Sequence, residues 1–240
     1  MKKIFAVILI ITIFIFLSCE SVLEPVEVGE PIPYMQLNIG DTRQYYNDPE
    51  GFYLQNKIID TTRRADGRKV FIFEQAIILP DGIYRGTTYH FLDDEYFFQT
   101  ELDTVADNEI NPFNEQKIAK IFPRNGDSFL LNDSVRDSDK VFFKVKIIDS
   151  LATYCKNFRE VAEYEIEYAK IDNDISRISQ IYYSKYYGHV GTIFENKNGF
   201  AKIFVTYLKV GDKEIGTFTP FESKKIINND DSLLKLIQLF

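Results

Sequence analysis

The sequence predicts a mainly β protein: a strongly curved antiparallel sheet, built as an unclosed barrel or a two-layer meander, with little helix. Three observations predict it. Phe and Tyr supply 21 and 15 of the 240 residues and Trp is absent; aromatics with many Ile and Val favour strands over helices. Several segments alternate apolar and polar residues with a period of two, the pattern of a strand with one wet face. Gly-Asp, Asp-Gly and Asn-Gly pairs punctuate these segments at the regular spacing of an antiparallel meander.

The chain opens with a different kind of segment. Two lysines, Lys2 and Lys3, precede an apolar run from Ile4 to Leu17 that only Thr12 interrupts. A positive head, an apolar middle and a small residue at the exit make a secretory signal. The run is shorter than the ~18 residues of a membrane span. Phe16-Leu17-Ser18-Cys19 resembles a bacterial lipobox. That resemblance implies removal of residues 1–18 and a lipid on Cys19. Glu20 to Pro33 holds three prolines and four glutamates, a composition that keeps backbone extended. Residues 19–34 therefore read as a tether.

A β-rich domain is expected over residues 35–222, with possible halves 35–105 and 121–222. Leu37 to Asp41 ends in a Gly-Asp turn, and Phe52 to Asp60 is a strand. Asp66-Gly67 turns the chain into Lys69 to Leu79, and Pro80-Asp81-Gly82 turns it again. Proline presets φ there and glycine accepts a positive one. Ile83 to Leu92 and Glu95 to Thr104 pair around Asp93-Asp94. Ala106 to Lys120 breaks the pattern, and a short helix is predicted over Asn114 to Lys120. In the second half Gly126-Asp127-Ser128 echoes Gly40-Asp41-Thr42, a suggestion of an internal repeat.

Val141, Phe143, Val145 and Ile147 share one face of the next strand, opposite Lys144 and Lys146. Ala162 to Tyr168 alternates as cleanly, although its Ala and Glu also suit a helix. As a strand it sets Glu163, Glu165 and Glu167 in a row, a solvated face or a site for a hard cation. Ile178 to Lys185, Thr192 to Glu195, Phe200 to Val210 and Lys213 to Phe218 complete the sheet, with turns at Asn198-Gly199 and Gly211-Asp212. Residues 223–240 form a tail with a possible short helix from Asn229, whose Leu233, Leu236, Ile237 and Phe240 share a face.

Three stretches resemble uncharacterised Bacteroidota-like envelope lipoproteins. They are the Gly-Asp motifs at Gly40-Asp41 and Gly126-Asp127, the Thr153 to Phe158 turn, and Tyr186-Tyr187-Gly188-His189-Val190-Gly191. Those relatives carry tryptophan just after the opening Gly-Asp, and this chain does not. The resemblance implies a curved sheet like an unclosed lipoprotein-carrier barrel, in the envelope at the outer membrane, and no established activity. Asp60, Asp103, Asp133, Asp149 and Asp231 each begin a short Asp-Ser/Thr sequence resembling the O-glycosylation acceptor of that phylum; ordinary turn chemistry is the simpler reading.

Charge and spacing limit the function. The net charge is −8, and losing the signal's lysines makes it more negative, which argues against nucleic acid as a partner. Membrane attachment is therefore assigned to lipid on Cys19 rather than to a basic patch. Cys155 then has no partner in the chain and reads as a small buried hydrophobe. His90 and His189 lack zinc spacing, and no phosphate loop or serine elbow occurs. No cofactor, metal or catalytic residue is expected. The sequence predicts a non-catalytic binding or scaffold module for a protein, glycan or lipid, and a carrier of that kind needs a concave apolar cleft. The alternative is an envelope hydrolase joining at least two of His90, His189, Cys155 and a carboxylate. An assembly subunit pairing through strand edges is a third option.

Overall fold

The computed structural model describes residues 31–48, 50–64, 66–100, 115–132, 140–169, 177–196 and 199–221, which contain strands and no helix. The first half gives β1 (Thr42–Asp48), β2 (Phe52–Arg63), β3 (Lys69–Ile78), β4 (Ile83–Leu92), β5 (Tyr96–Thr100) and β6 (Gln116–Lys120). The second gives β7 (Ser128–Leu130), β8 (Val141–Ala152), β9 (Asn157–Tyr168), β10 (Arg177–Ser184), β11 (Gly188–Asn196), β12 (Gly199–Val210) and β13 (Lys213–Gly216).

All pairings are antiparallel. The sheet runs β6-β5-β4-β3-β2-β1-β12-β11-β10-β9-β8-β7, with β13 beside β12 off that path. Neighbours in sequence are thus neighbours in space, as short turns dictate. The long-range closure is β1 on β12, from Thr42 opposite Lys209 to Asp48 opposite Lys202. The twelve-strand path is nearly closed into a barrel, with one unsealed seam between β6 and β7. At the seam Lys117 N donates to Leu131 O at 2.7 Å. Tyr164 Oη accepts from Lys120 N and donates to Lys120 O. Lys120 Nζ reaches Asp127 at 3.3 Å, and the Tyr96 and Phe129 rings lie 5.3 Å apart.

The expected alternation appears on β8 and β9. Phe143 and Val145 are buried while Lys144 and Lys146 are exposed. Ala162 and Tyr164 are buried and Glu165 and Glu167 are exposed, so Ala162–Tyr168 is a strand rather than a helix. One apolar cluster gathers Tyr45, Leu54, Phe73, Ile77, Phe97, Phe129, Phe143, Phe158 and Tyr164. Each such side chain contributes about 1.5–3 kcal/mol on burial. Tyr34, the last residue of the predicted tether, is also buried. Its N–H donates to Ile121 O.

The helix predicted for Asn114–Lys120 is corrected: Gln116–Lys120 is β6. Its Ala, Lys and Gln are good helix formers, but pairing with β5 overrides weak propensity. Ala119 opposite Phe97 becomes fully buried.

The two Gly-Asp turns have the same bonding. Gly40 N donates to Ile58 O and Ile58 N to Asp41 O; Gly126 N donates to Val145 O and Val145 N to Asp127 O. Asp41 Oδ2 caps Asn38 N, as Asp127 Oδ2 caps Arg124 N. Both glycines have φ near +90°, at 93° and 88°, where a side chain is strained. Each turn feeds the first strand of a six-strand run, so the echo in sequence is a repeat in structure.

Candidate functional site

His90, His189 and Cys155 each bond to other partners, and no hydrogen bond joins two of them. His189 is buried, with Nδ1 2.9 Å from Tyr45 Oη and Nε2 2.8 Å from Thr192 Oγ1. It sits at the start of the interior strand β11, not at a sheet edge. His90 is buried against Phe73 and Phe97, its Nε2 2.9 Å from Thr88 Oγ1. Burial lowers both imidazoles from 6.5 to about 3, so each is neutral at pH 7. Cys155 is half-buried in the turn before β9, 3.7 Å from Thr153 Oγ1, and burial pushes its thiol up. That is the reverse of an activated nucleophile.

Two glutamates of the row engage neighbouring side chains. Glu167 pairs with Lys144, and Glu163 accepts from Gln180 Nε2 at 2.7 Å. No group of carboxylates, histidines or cysteines suited to a metal occurs among the described residues. Asp93 caps its turn, accepting from Glu95 N and Tyr96 N. Asp60 and Asp149 stand exposed within β2 and β8 rather than in turns. Cys19, the signal and the tail helix lie outside the described residues, as do Asp103, Asp133 and Asp231.

The recesses among the described residues are lined mainly by polar groups rather than forming the concave apolar cleft expected of a carrier, and one of about 540 Å³ lies beside Glu165, Glu167, Arg177 and Glu195. Aromatic side chains pack the core cluster, and an open groove of about 520 Å³ crosses the outer face of β12, β1, β2 and β3. Register builds its floor. Thr42 lies opposite Lys209 on one side and Lys57 on the other, and Lys57 lies opposite Glu74. Directly opposed residues share a face, so these four form one transverse row. The next row runs Tyr207, Gln44, Gln55, Ala76 and Arg85. Arg85 pairs with Glu74 at 2.7 Å. Among the described residues, Lys57 and Lys209 make no ion pair, and both are exposed.

The segment after β13 supplies the wall. Gln44 is fully buried beneath it. Its Nε2 donates to Thr219 O and its Oε1 accepts from Thr219 N, both at 3.0 Å. An amide clamped on both sides cannot rotate, so Thr219 fixes its neighbours. Phe218 lies edge-on to Tyr207 at 5.2 Å and Phe221 packs on Tyr53 at 5.2 Å. Burial, then the Glu214 carboxylate, pushes the Tyr207 phenol up, so it stays neutral. Gly40 closes one end of the groove, and Asp41 Oδ1 beside it accepts from Gly211 N at 2.8 Å. The site thus has a polar floor, an aromatic wall and two unpaired cations. Nothing in the sequence marked it, because its parts lie some 170 residues apart, as Gln44 and Thr219 do at 175.

No family model matches the chain, and no curated protein does. Solved structures similar to it include a provisionally named lipoprotein from Parabacteroides distasonis, 15% identical, covering 74% of this chain and 99% of that one with a TM-score of 0.44. Another is a provisionally named exported protein with a YmcC-like fold from Bacteroides fragilis, 12% identical, covering 75% of this chain and all of that one with a TM-score of 0.45.

Proposed function

We propose that the chain is a lipid-anchored envelope protein that acts as a non-catalytic binding module, receiving its ligand in the groove beside Phe218. The groove carries the reading: a recess of about 520 Å³ whose aromatic wall is fixed by the Gln44 clamp. Ligand sites combine apolar surface with a few placed polar groups, and this one has both. No hydrogen bond joins any two of His90, His189 and Cys155, whose polar atoms are engaged by Thr88, Tyr45, Thr192 and Thr153, and this favours binding over the hydrolase alternative. The segment Lys2–Cys19 supports attachment through lipid on Cys19.

The test is ligand linkage. A ligand that binds only the folded chain raises its melting temperature. Polysaccharide, lipid and peptide fractions of the host envelope are added separately to the full-length protein in detergent. One fraction is expected to stabilise the native chain and to leave the Lys57→Gln/Lys209→Gln/Phe218→Ala variant unmoved. No stabilisation by any fraction, or equal stabilisation of both proteins, overturns the reading.

A further inference from the structure

We propose that the groove recognises an acidic sugar: a uronic-acid unit of a glycan, its ring against Phe218 and its carboxylate between Lys57 and Lys209. This rests on the groove being the ligand site. The chemistry of its lining selects the class. Phe218, Phe221 and Tyr207 offer aromatic surface at the wall, while Thr42, Gln55 and Glu74 make a floor of hydrogen-bonding groups. A ring with one C–H face and a rim of hydroxyls matches both surfaces, since aromatic side chains pack apolar faces and the floor pairs polar ones.

Three other ligand classes fit less well. An acyl chain requires an apolar slot, and this floor is polar and open to solvent. A peptide adding as a strand requires a free sheet edge; β1 and β2 are interior strands, each paired on both sides. Nucleic acid requires a run of cations along its phosphates, and the groove lining holds only Lys57, Lys209 and the ion-paired Arg85.

The lysines decide between acidic and neutral sugars. Lys57 and Lys209 flank Thr42 in one row, with strands between them spaced so that their Cα atoms are about 10 Å apart. Glu74 is engaged by Arg85, and Glu214, opposite Lys209 on β13, is engaged by Tyr207; Lys57, Lys209 and Arg85 thus outnumber the two carboxylates, and the groove is net positive on an acidic protein. Lysine is a mobile point charge on a long stem, so two of them converge on one carboxylate or serve carboxylates on successive sugar units.

Isothermal titration of the full-length protein in detergent tests this. The probes are trimers of galacturonate and glucuronate, their neutral methyl esters, and inorganic phosphate. At least one acidic trimer is expected to bind, more weakly as salt rises. Its ester is expected to bind at least about tenfold more weakly, as is the acid to Lys57→Gln/Lys209→Gln. Phe218→Ala is expected to weaken acid and ester alike. These positions are exposed or half-exposed, and an unchanged melting temperature confirms that each variant is folded. Equal binding of acid and ester, or undiminished binding by the lysine variant, overturns the proposal, as does phosphate binding without sugar binding. If no trimer binds while an envelope fraction still stabilises the native chain, the sugar class falls and the groove remains the ligand site. If neither occurs, both fall.

Discussion

Gln44 is fully buried on the outward face of β1, and its two hydrogen bonds to Thr219 are what hold the aromatic wall. Its replacement leaves two backbone groups of Thr219 without partners, at a cost of about 1–3 kcal/mol. Gln44→Ala is therefore expected to lower stability by that amount in urea and to accelerate amide exchange at Thr219, with the floor strands protected as before. The histidines act at the same scale but on stability alone. Unfolded, each takes its proton near pH 6.5; folded, burial delays this to about 3. Below pH 6.5 the unfolded chain binds protons that the folded chain refuses, so stability falls as pH drops. The slope is up to about 1.4 kcal/mol per pH unit for each histidine. Denaturation at pH 6.5 and pH 5 is expected to show this loss, and His189→Gln to remove about half of it.

Among the elements, the paired Gly-Asp turns have the same backbone and different surroundings. Asp41 is buried and accepts from both Asn38 N and Gly211 N, tying the turn to the β12–β13 hairpin. Asp127 caps Arg124 N and meets Lys120 at the seam, where water is close. Asp41→Ala is expected to cost about 2–4 kcal/mol and Asp127→Ala about 1–2 kcal/mol, because buried Asp41 serves two backbone donors and Asp127 serves one beside solvent. Chemical denaturation of the pair measures the difference. Strands of this kind were legible in the sequence: the alternation of β8 and β9 and the turns at Asp66-Gly67 and Gly82 read directly. β6 did not read as a strand, since Gln116-Lys117-Ile118-Ala119-Lys120 becomes one only by pairing with β5. Thr217 and Phe218 read as the end of the strand from Lys213, and Pro220 as the close of the domain; the strand stops at Gly216 instead, and no local pattern reveals that Gln44 holds Thr219.

At the scale of the molecule, the curved antiparallel sheet followed from composition and turn spacing. The order of closure did not, because joining β1 to β12 depends on contacts between the two ends of the domain. The seam falls at the equivalent point of the repeat: β7 meets β6 where β1 meets β12, but β7 is only Ser128–Leu130 and side chains finish the wall. The proposed attachment belongs to this scale too. Labelled palmitate is expected to enter the protein in a bacterial host, and Cys19→Ala is expected to abolish both the label and membrane fractionation. Ligand is proposed to contact the Phe218 wall. Fluorine NMR of the chain labelled with fluorophenylalanine, titrated with the stabilising envelope fraction, tests it most directly. Binding at the wall predicts that the Phe218 and Phe221 resonances move while those of the exposed Phe142 and Phe122 stay fixed; movement confined to Phe142, Phe122 or Phe200, with Phe218 unchanged, contradicts it.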